Sequence, residues 1–380
     1  MNSMALPLLG MAACVLLELY FARAKRGTAI PWRDVVLNLN SGHLLMWLFR
    51  GVEIAAFAWI LAQANLHWLD HWHPAAVWIF ALFAWDLGFY WMHRLHHTFG
   101  ALWSVHVVHH EGEHFNLSLG IRNSWYSSLT TLPFTAAPLA LAGVPLDVFV
   151  AVSTLHYAVQ FYNHNGIVDR SGLLERLLVT PAHHRVHHGQ NHEYRDRNFG
   201  GTFLIWDKLF RTFQHELPGV PIRYGISSPT LSTNPFWVNT VPILRYARLR
   251  VPRFTEARRV HVPEGVIGGG GLLLFVIAAY YIHREGTWSG LGQPAFFTLI
   301  VTATVALGGM SDGRGWWGIA SWIVIAVVSL IALPLYFGLC DTTGLVLLGA
   351  FLVHGVAAAA AVAMRRPAME HSFPKFDKNA

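Results

Sequence analysis

The sequence predicts an all-α fold: a polytopic integral membrane bundle of helices with a histidine-rich helical cap on the cytoplasmic side. Three observations lead there. Of the 380 residues, 54% are hydrophobic and only 13% charged, against roughly 25% charged in a typical soluble domain. The apolar residues gather in runs long enough to cross a bilayer. The 23 histidines concentrate in groups spaced three and four residues apart, which puts imidazoles on one helical face. The net charge of +6 does not point to nucleic acid, because Arg and Lys stand at the ends of apolar runs, where they set topology and meet anionic head groups. Cys14 and Cys340 are the only cysteines and both lie in apolar segments. Neither a disulfide framework nor a thiolate metal site follows.

The first run, 4–21, precedes Arg23, Lys25, Arg26 and Arg33. A cleaved signal peptide carries its positive charge before the apolar core, so this run reads as a retained anchor, amino terminus outside and basic loop in the cytoplasm. The second run, 44–66, is long enough to span, and Arg50 and Glu53 within it are spaced to pair on one face. Trp68 and Trp72, with His67, His71 and His73, read as an interfacial turn. A third run, 75–91, returns to the cytoplasmic side where the histidine groups begin. Residues 129–146 and 148–162 read as a helical hairpin that dips in and returns, leaving His164 on the same side as His93. From 169 to 263 the chain is polar, Arg-rich and broken by Pro and Gly, as expected of a soluble cap. Four more runs follow, 266–282, 296–307, 316–335 and 345–364, the second short enough to be re-entrant. Four crossings would return the tail, with Arg365, Arg366 and Lys375, to the cytoplasm. The chain thus divides into amino-terminal spans (1–74), a histidine-bearing domain (75–263) and carboxy-terminal membrane helices with a short tail (264–380).

The histidine groups carry the chemistry. Group one offers His93 and His97 on one face, with His96 rotated away toward an outer layer or solvent. Group two offers His106, His109 and His110, and group three His164 with Gln160 one turn before it. Group four, between Pro181 and Gly189, offers His184, His187 and His188. Buried imidazoles need partners for their nitrogens, and a metal satisfies them. Nine are too many for one ion of four to six ligands and suit two. Imidazole alone leaves Zn, Cu, Fe and Ni open. Metal-bound histidine donates its other nitrogen to a carboxylate or carbonyl, which makes Asp86, Glu113, Asp169 and Asp196 candidates for the surrounding layer.

Two other readings compete. His110-Glu111-Gly112-Glu113-His114 matches the H-E-x-x-H signature of zinc proteases, but Gly112 at its centre weakens the helix that chemistry needs. Bis-histidine haem would use two to four histidines and leave the rest unexplained. A metal carrier is the alternative of another class; it is expected to hold ionisable ligands in mid-span, whereas these groups fall at span ends.

The stretches Asp86-x3-Tyr90-Trp91-x-His93-Arg94-x2-His97, Leu102-Trp103-x2-His106-x2-His109-His110-x2-Glu113-x-Phe115-Asn116, Thr180-Pro181-x-His183-His184-Arg185-Val186-His187-His188-Gly189, Asp196-x-Asn198-Phe199-Gly200-Gly201 and Ile205-Trp206-Asp207-x2-Phe210-x-Thr212-Phe213 resemble the fatty acid hydroxylase and sterol desaturase superfamily of membrane di-iron enzymes. The resemblance covers 85–224. It implies that the nine histidines hold two Fe ions that activate O2 for insertion of oxygen into a lipid C–H bond, with ether-lipid cleavage the specific version and acyl, sterol-like or carotenoid hydroxylation or desaturation the alternatives. It implies an outer layer drawn from Asp86, Glu113, Asn116, Gln160, Asp196 and Asn198, with His183 and Arg122 near the substrate or in that layer. The chain departs from the family at Glu111, where Ser is common, at Asn165-Gly166, where Thr-Glu is common, at Asn123, which replaces Gln, and at Gln160, where other members have His. No dinucleotide fingerprint, cysteine cluster or fused haem domain is visible, so electrons come from a separate protein or small reductant; the resemblance implies tetrahydrobiopterin, with a ferredoxin and reductase equally open.

Overall fold

The computed structural model describes residues 5–41, 43–252, 260–284, 286–288, 290–339 and 341–364. Cys340 and the tail with Arg365, Arg366 and Lys375 lie outside the described residues. Helices dominate, and among the described residues the strand-like contacts are two isolated bridges, Leu178 with Phe203 and Val260 with Arg314.

The amino-terminal part is α1 (Ala5–Arg26), α2 (Trp32–Ser41) and α3 (His43–Ala64). Arg23, Lys25 and Arg26 close α1 as its last turn, where cations complement the helix dipole. The segment that reads from sequence as a basic loop, Arg23 to Arg33, is shared between the end of α1 and the first turn of α2. In α3 the expected pair forms, Arg50 to Glu53 at 2.6 Å, and Arg50 also donates to Ser153 at 2.6 Å. His67 pairs with Asp70 at 2.8 Å, and His73 caps the next helix.

The histidine-bearing part follows as α4 (Pro74–Thr98), α5 (Gly100–His110), α6 (Ser127–Thr131), α7 (Ala136–Ala142), α8 (Leu146–Asn163), α9 (Pro181–His187), α10 (Ile205–Leu209) and α11 (Pro235–Tyr246). The first arm of the expected hairpin is two short helices rather than one. Pro133 follows α6, a position from which proline disfavours continued helix, and Gly143 ends α7 at φ 94°. Gly88 on α4 is where this break packs, since a β-carbon there would lie 2.4 Å from the Phe134 carbonyl oxygen. A buried cluster around the stacked Phe57 and Phe149 rings, 4.1 Å apart, joins α3, α4, α7 and α8.

The last part is α12 (Glu264–Arg284), α13 (Gly292–Ser311), α14 (Gly315–Phe337) and α15 (Thr342–Ala363). The short run at 296–307 is thus part of a 20-residue helix. Among the described residues, six helices, α1, α4 and α12 to α15, are long and apolar enough to cross a membrane. The protein is an integral membrane helical bundle. A second buried cluster packs α12 to α15 together, and a third joins α1, α2 and α12 to Leu117 and Ile121 of the histidine-bearing part.

Candidate metal centre

Four helices, α4, α5, α8 and α9, supply at their turns and ends every histidine that the sequence singles out as a ligand. On α4, His93 and His97 stand one turn apart, and on α5 His106 and His110 do the same; His187 of α9 joins them. One ring nitrogen from each lies within 4.8 Å of the others. His109 of α5, His164 at the end of α8, His184 of α9 and His188 at its cap form a second group under the same limit. The division follows helix geometry. Residues four apart stay in one group, His106 with His110 and His184 with His188, while His109 and His187, three away from a partner, cross to the other. The groups abut: the His110 and His188 rings stack at 4.6 Å, and the His184 and His187 rings at 5.3 Å.

The spacing of the nitrogens tests the fit to a metal. In the first group, the Nε2 atoms of His93 and His106 are 3.0 Å apart, and those of His106 and His110, and of His110 and His187, 3.1 Å. In the second, His164, His184 and His188 are mutually separated by 2.9 to 3.2 Å, and His109 is 3.1 Å from His164. Metal–imidazole bonds of about 2.1 Å put adjacent nitrogens about 3.0 Å apart at right angles and about 3.4 Å apart in a tetrahedron. The observed spacings are those of nitrogens able to share one ion, and imidazole ligands suit Zn, Cu, Fe and Ni alike. His97 Nε2 is buried with no protein partner, as a lone pair reserved for a metal should be.

For four of the rings the far side sets the tautomer. Nδ1 of His93 faces the Phe199 carbonyl at 2.9 Å, that of His109 the Arg122 carbonyl at 2.8 Å, that of His164 the Gln160 carbonyl at 2.7 Å and that of His187 the Arg197 carbonyl at 2.9 Å. A carbonyl only accepts, so each Nδ1 carries the proton and each Nε2 is left as a donor of electrons. Burial pushes His106, His109, His110, His164, His184, His187 and His188 below the ordinary histidine range, and neighbouring imidazoles push the same way; His109 comes down to about 4. Neutral imidazole is the form that binds metal.

The surrounding residues divide by what they touch. Asp196 reaches His97 Nδ1 at 3.3 Å, and Gln160 serves His164 through its backbone while its side chain donates to the Gly201 carbonyl at 2.5 Å. Asp86 touches none of the nine; it accepts from the Thr202 and Phe203 amides and the Trp206 indole at 2.8 to 3.0 Å. Asn198 donates to the His183 and Gln214 carbonyls, and Asn116 shapes its own loop through the His114 carbonyl and Ser118. Asp169 binds Arg26, and Glu113 borders a cavity of about 310 Å³ between Phe115 and α1. His183 completes a capping box with Thr180. Buried Arg122 pairs with Glu111 at 3.3 Å and borders a cavity of about 840 Å³. His96 is buried rather than solvent-facing, bonded to the Met92 carbonyl and Thr130. His114 of the protease-like motif pairs with Asp34 at 2.6 Å and lies in neither group.

Sequence reasoning passed over three groups. Glu111 receives the Thr230 amide at 2.9 Å, besides holding Arg122. Asp207 accepts from the Phe199 and Gly200 amides, both at 2.8 Å, and so fixes the carbonyl behind His93. Glu18 of α1 accepts from the Leu117 and Gly166 amides at 2.5 and 2.6 Å. The signal for Glu18 was a lone acid in an apolar run, legible as a buried partner but not as whose.

Residues 78–212, which contain all nine histidines, match the fatty acid hydroxylase family model. The chain carries a fatty acid hydroxylase domain. It is similar to alkylglycerol monooxygenase of Danio rerio, 36% identical over 261 residues, 67% of this chain and 56% of the relative. The human alkylglycerol monooxygenase is 34% identical over 59% of this chain and 50% of its own length, and the ornithine lipid hydroxylase OlsE of Rhizobium tropici 31% over 41% and 47%. Sterol desaturases match at lower identity, such as that of Gibberella zeae at 27%. The chain spans about half the length of the curated relatives it matches. No solved structure matches it. The fatty acid hydroxylase match leaves α1 to α3 and α11 to α15 outside its bounds.

Proposed function

We propose that this protein is an oxygen-dependent lipid monooxygenase that holds two iron ions, one on His93, His97, His106, His110 and His187 and the other on His109, His164, His184 and His188. The observation that carries this reading is the meeting of two abutting groups of neutral imidazoles, with nitrogens close enough to share an ion, at the end of a membrane-crossing helix. Two irons there would supply O2 activation, one oxygen entering the substrate C–H bond and the other leaving as water with two electrons from a separate donor. The chain's own part is to hold the nitrogens proton-free, through the carbonyls behind them, and to keep the site buried. A lipid chain lying in the bilayer reaches the end of α4 past Phe83 and Trp91, both exposed on that helix.

Ether-lipid cleavage is the specific reaction we propose, supported by the similarity to alkylglycerol monooxygenases. Oxygen inserted beside an ether oxygen gives a hemiacetal that collapses to an aldehyde and an alcohol. Iron-loaded protein given an alkylglycerol and tetrahydrobiopterin, or a ferredoxin with its reductase, should consume O2 in proportion to lipid and release aldehyde. A hydroxylated, uncleaved product would instead favour a reaction like that named for the ornithine lipid hydroxylase. Stoichiometric iron without lipid-dependent O2 uptake under any of these donors would favour a metal carrier.

The basic last turn of α1 and the histidine groups lie close together, since Arg26 donates to the Gly166 and Ile167 carbonyls at 2.8 Å, and the bias of Arg and Lys supports a cytoplasmic position for both. Single cysteines near Gly189 should label from the cytoplasmic face of sealed vesicles. Labelling from the outer face alone would invert the topology.

A further inference from the structure

Glu18 sits inside α1, an apolar membrane-crossing helix, and only 3% of it is exposed. A carboxylate at such a position is costly unless donors meet it. Two do, one on each oxygen: the Leu117 amide at 2.5 Å and the Gly166 amide at 2.6 Å. Both amides belong to loops that flank the second histidine group. Gly166 lies two residues beyond His164. Leu117 lies two beyond Phe115, whose ring stacks on His164 at 5.7 Å and stands 5.5 Å from His188. The loops themselves are in close contact, since a β-carbon on Gly166 would come within 2.6 Å of the Phe115 carbonyl oxygen. From the end of the same helix, Arg26 takes the carbonyls of Gly166 and Ile167, both at 2.8 Å. One face of α1 therefore holds the N–H side of this loop with an anion and its C=O side with a cation.

We propose that Glu18 is a positioning residue for the second metal: by fastening the 115–117 and 164–166 loops to the first span, it fixes His164 and the Phe115 ring that backs His164 and His188. The first span, outside the fatty acid hydroxylase match, is then part of the metal site. This inference rests on the two-metal reading above and deepens it.

The test uses the full chain, iron-loaded, with iron per chain measured by mass spectrometry after graded chelator challenge. Glu18→Gln keeps size but turns an amide N–H toward one of the two backbone donors. It should release one metal at roughly 10- to 100-fold lower chelator than the wild type, the range for disturbing groups behind a ligand, while the other metal keeps wild-type resistance. Glu18→Asp, with charge but shorter reach, should fall between. Wild-type chelator resistance of both metals in Glu18→Gln, or parallel loss of both, would overturn the proposal. His184→Ala separates this from the underlying reading. If that variant retains two metals, the ligand assignment fails; if it loses one while Glu18→Gln loses none, only the role of Glu18 fails.

Discussion

Alanine at His184 or His188 should remove the metal of the second group, and alanine at His187 that of the first, with lipid turnover falling more than about 100-fold in each case. The expectation rests on geometry: each Nε2 stands within 3.2 Å of at least one other ring nitrogen of its own group, so losing one removes a ligand from that group. A metal that shifts by even about 1 Å loses catalytic alignment by a factor of about 100. His192 is exposed beyond Gly189, where α9 has already ended, and His114 is occupied by Asp34. Alanine at either should therefore leave two metals bound. Iron content and lipid-dependent O2 uptake across the five variants check this. Full turnover with His187→Ala, or metal loss from His114→Ala as a zinc-protease helix requires, would show that the wrong imidazoles are named.

Asp86→Ala should have the largest effect on folding of any change outside the nine histidines. Asp86 is 1% exposed and receives the Thr202 and Phe203 amides and the Trp206 indole. Alanine leaves the buried Thr202 amide without a partner, at about 1–3 kcal/mol, and strips two half-buried donors of theirs, against a total stability of roughly 5–15 kcal/mol for a domain. The same segment begins at Phe199, whose carbonyl orients His93, and includes Gly201, whose carbonyl receives Gln160 and Asn163. Asp86→Asn, which keeps the shape and loses one acceptor, should retain the fold with a lowered melting temperature and weaker metal retention in the first group. Melting curves and chelator challenge of both variants check this. Wild-type melting of Asp86→Ala would mean that the segment is held by other contacts.

How much of the centre was legible depends on whether a residue acts through its side chain at helical spacing. His93 and His97, His106 and His110, and His184 and His188 are read directly from four-residue steps, because each pair shares one helix. Which imidazole serves which metal was not legible. His109 and His110 are adjacent in sequence yet point into different groups, His109 meeting histidines of α8 and α9 and His110 those of α4, α5 and α9. The carbonyls behind four of the rings, from Phe199, Arg122, Gln160 and Arg197, carry no side-chain signature at all. Asp86 illustrates the reverse case: as an acid near histidines it reads as a partner for a ligand, but its place on α4 turns it toward the 202–206 segment.

The sequence by itself determined the all-helical membrane class, the family, and the nine histidines that the structure gathers, because composition, run length and helical spacing are local properties of the chain. Only the tertiary structure decided the five-and-four division, the tautomers, and the part played by Glu18. These depend on backbone groups distant in sequence: Glu18 meets amides at 117 and 166, and His93 a carbonyl at 199. A peptide N–H or C=O is the same at every residue, so nothing in a sequence marks the ones a fold will bring together.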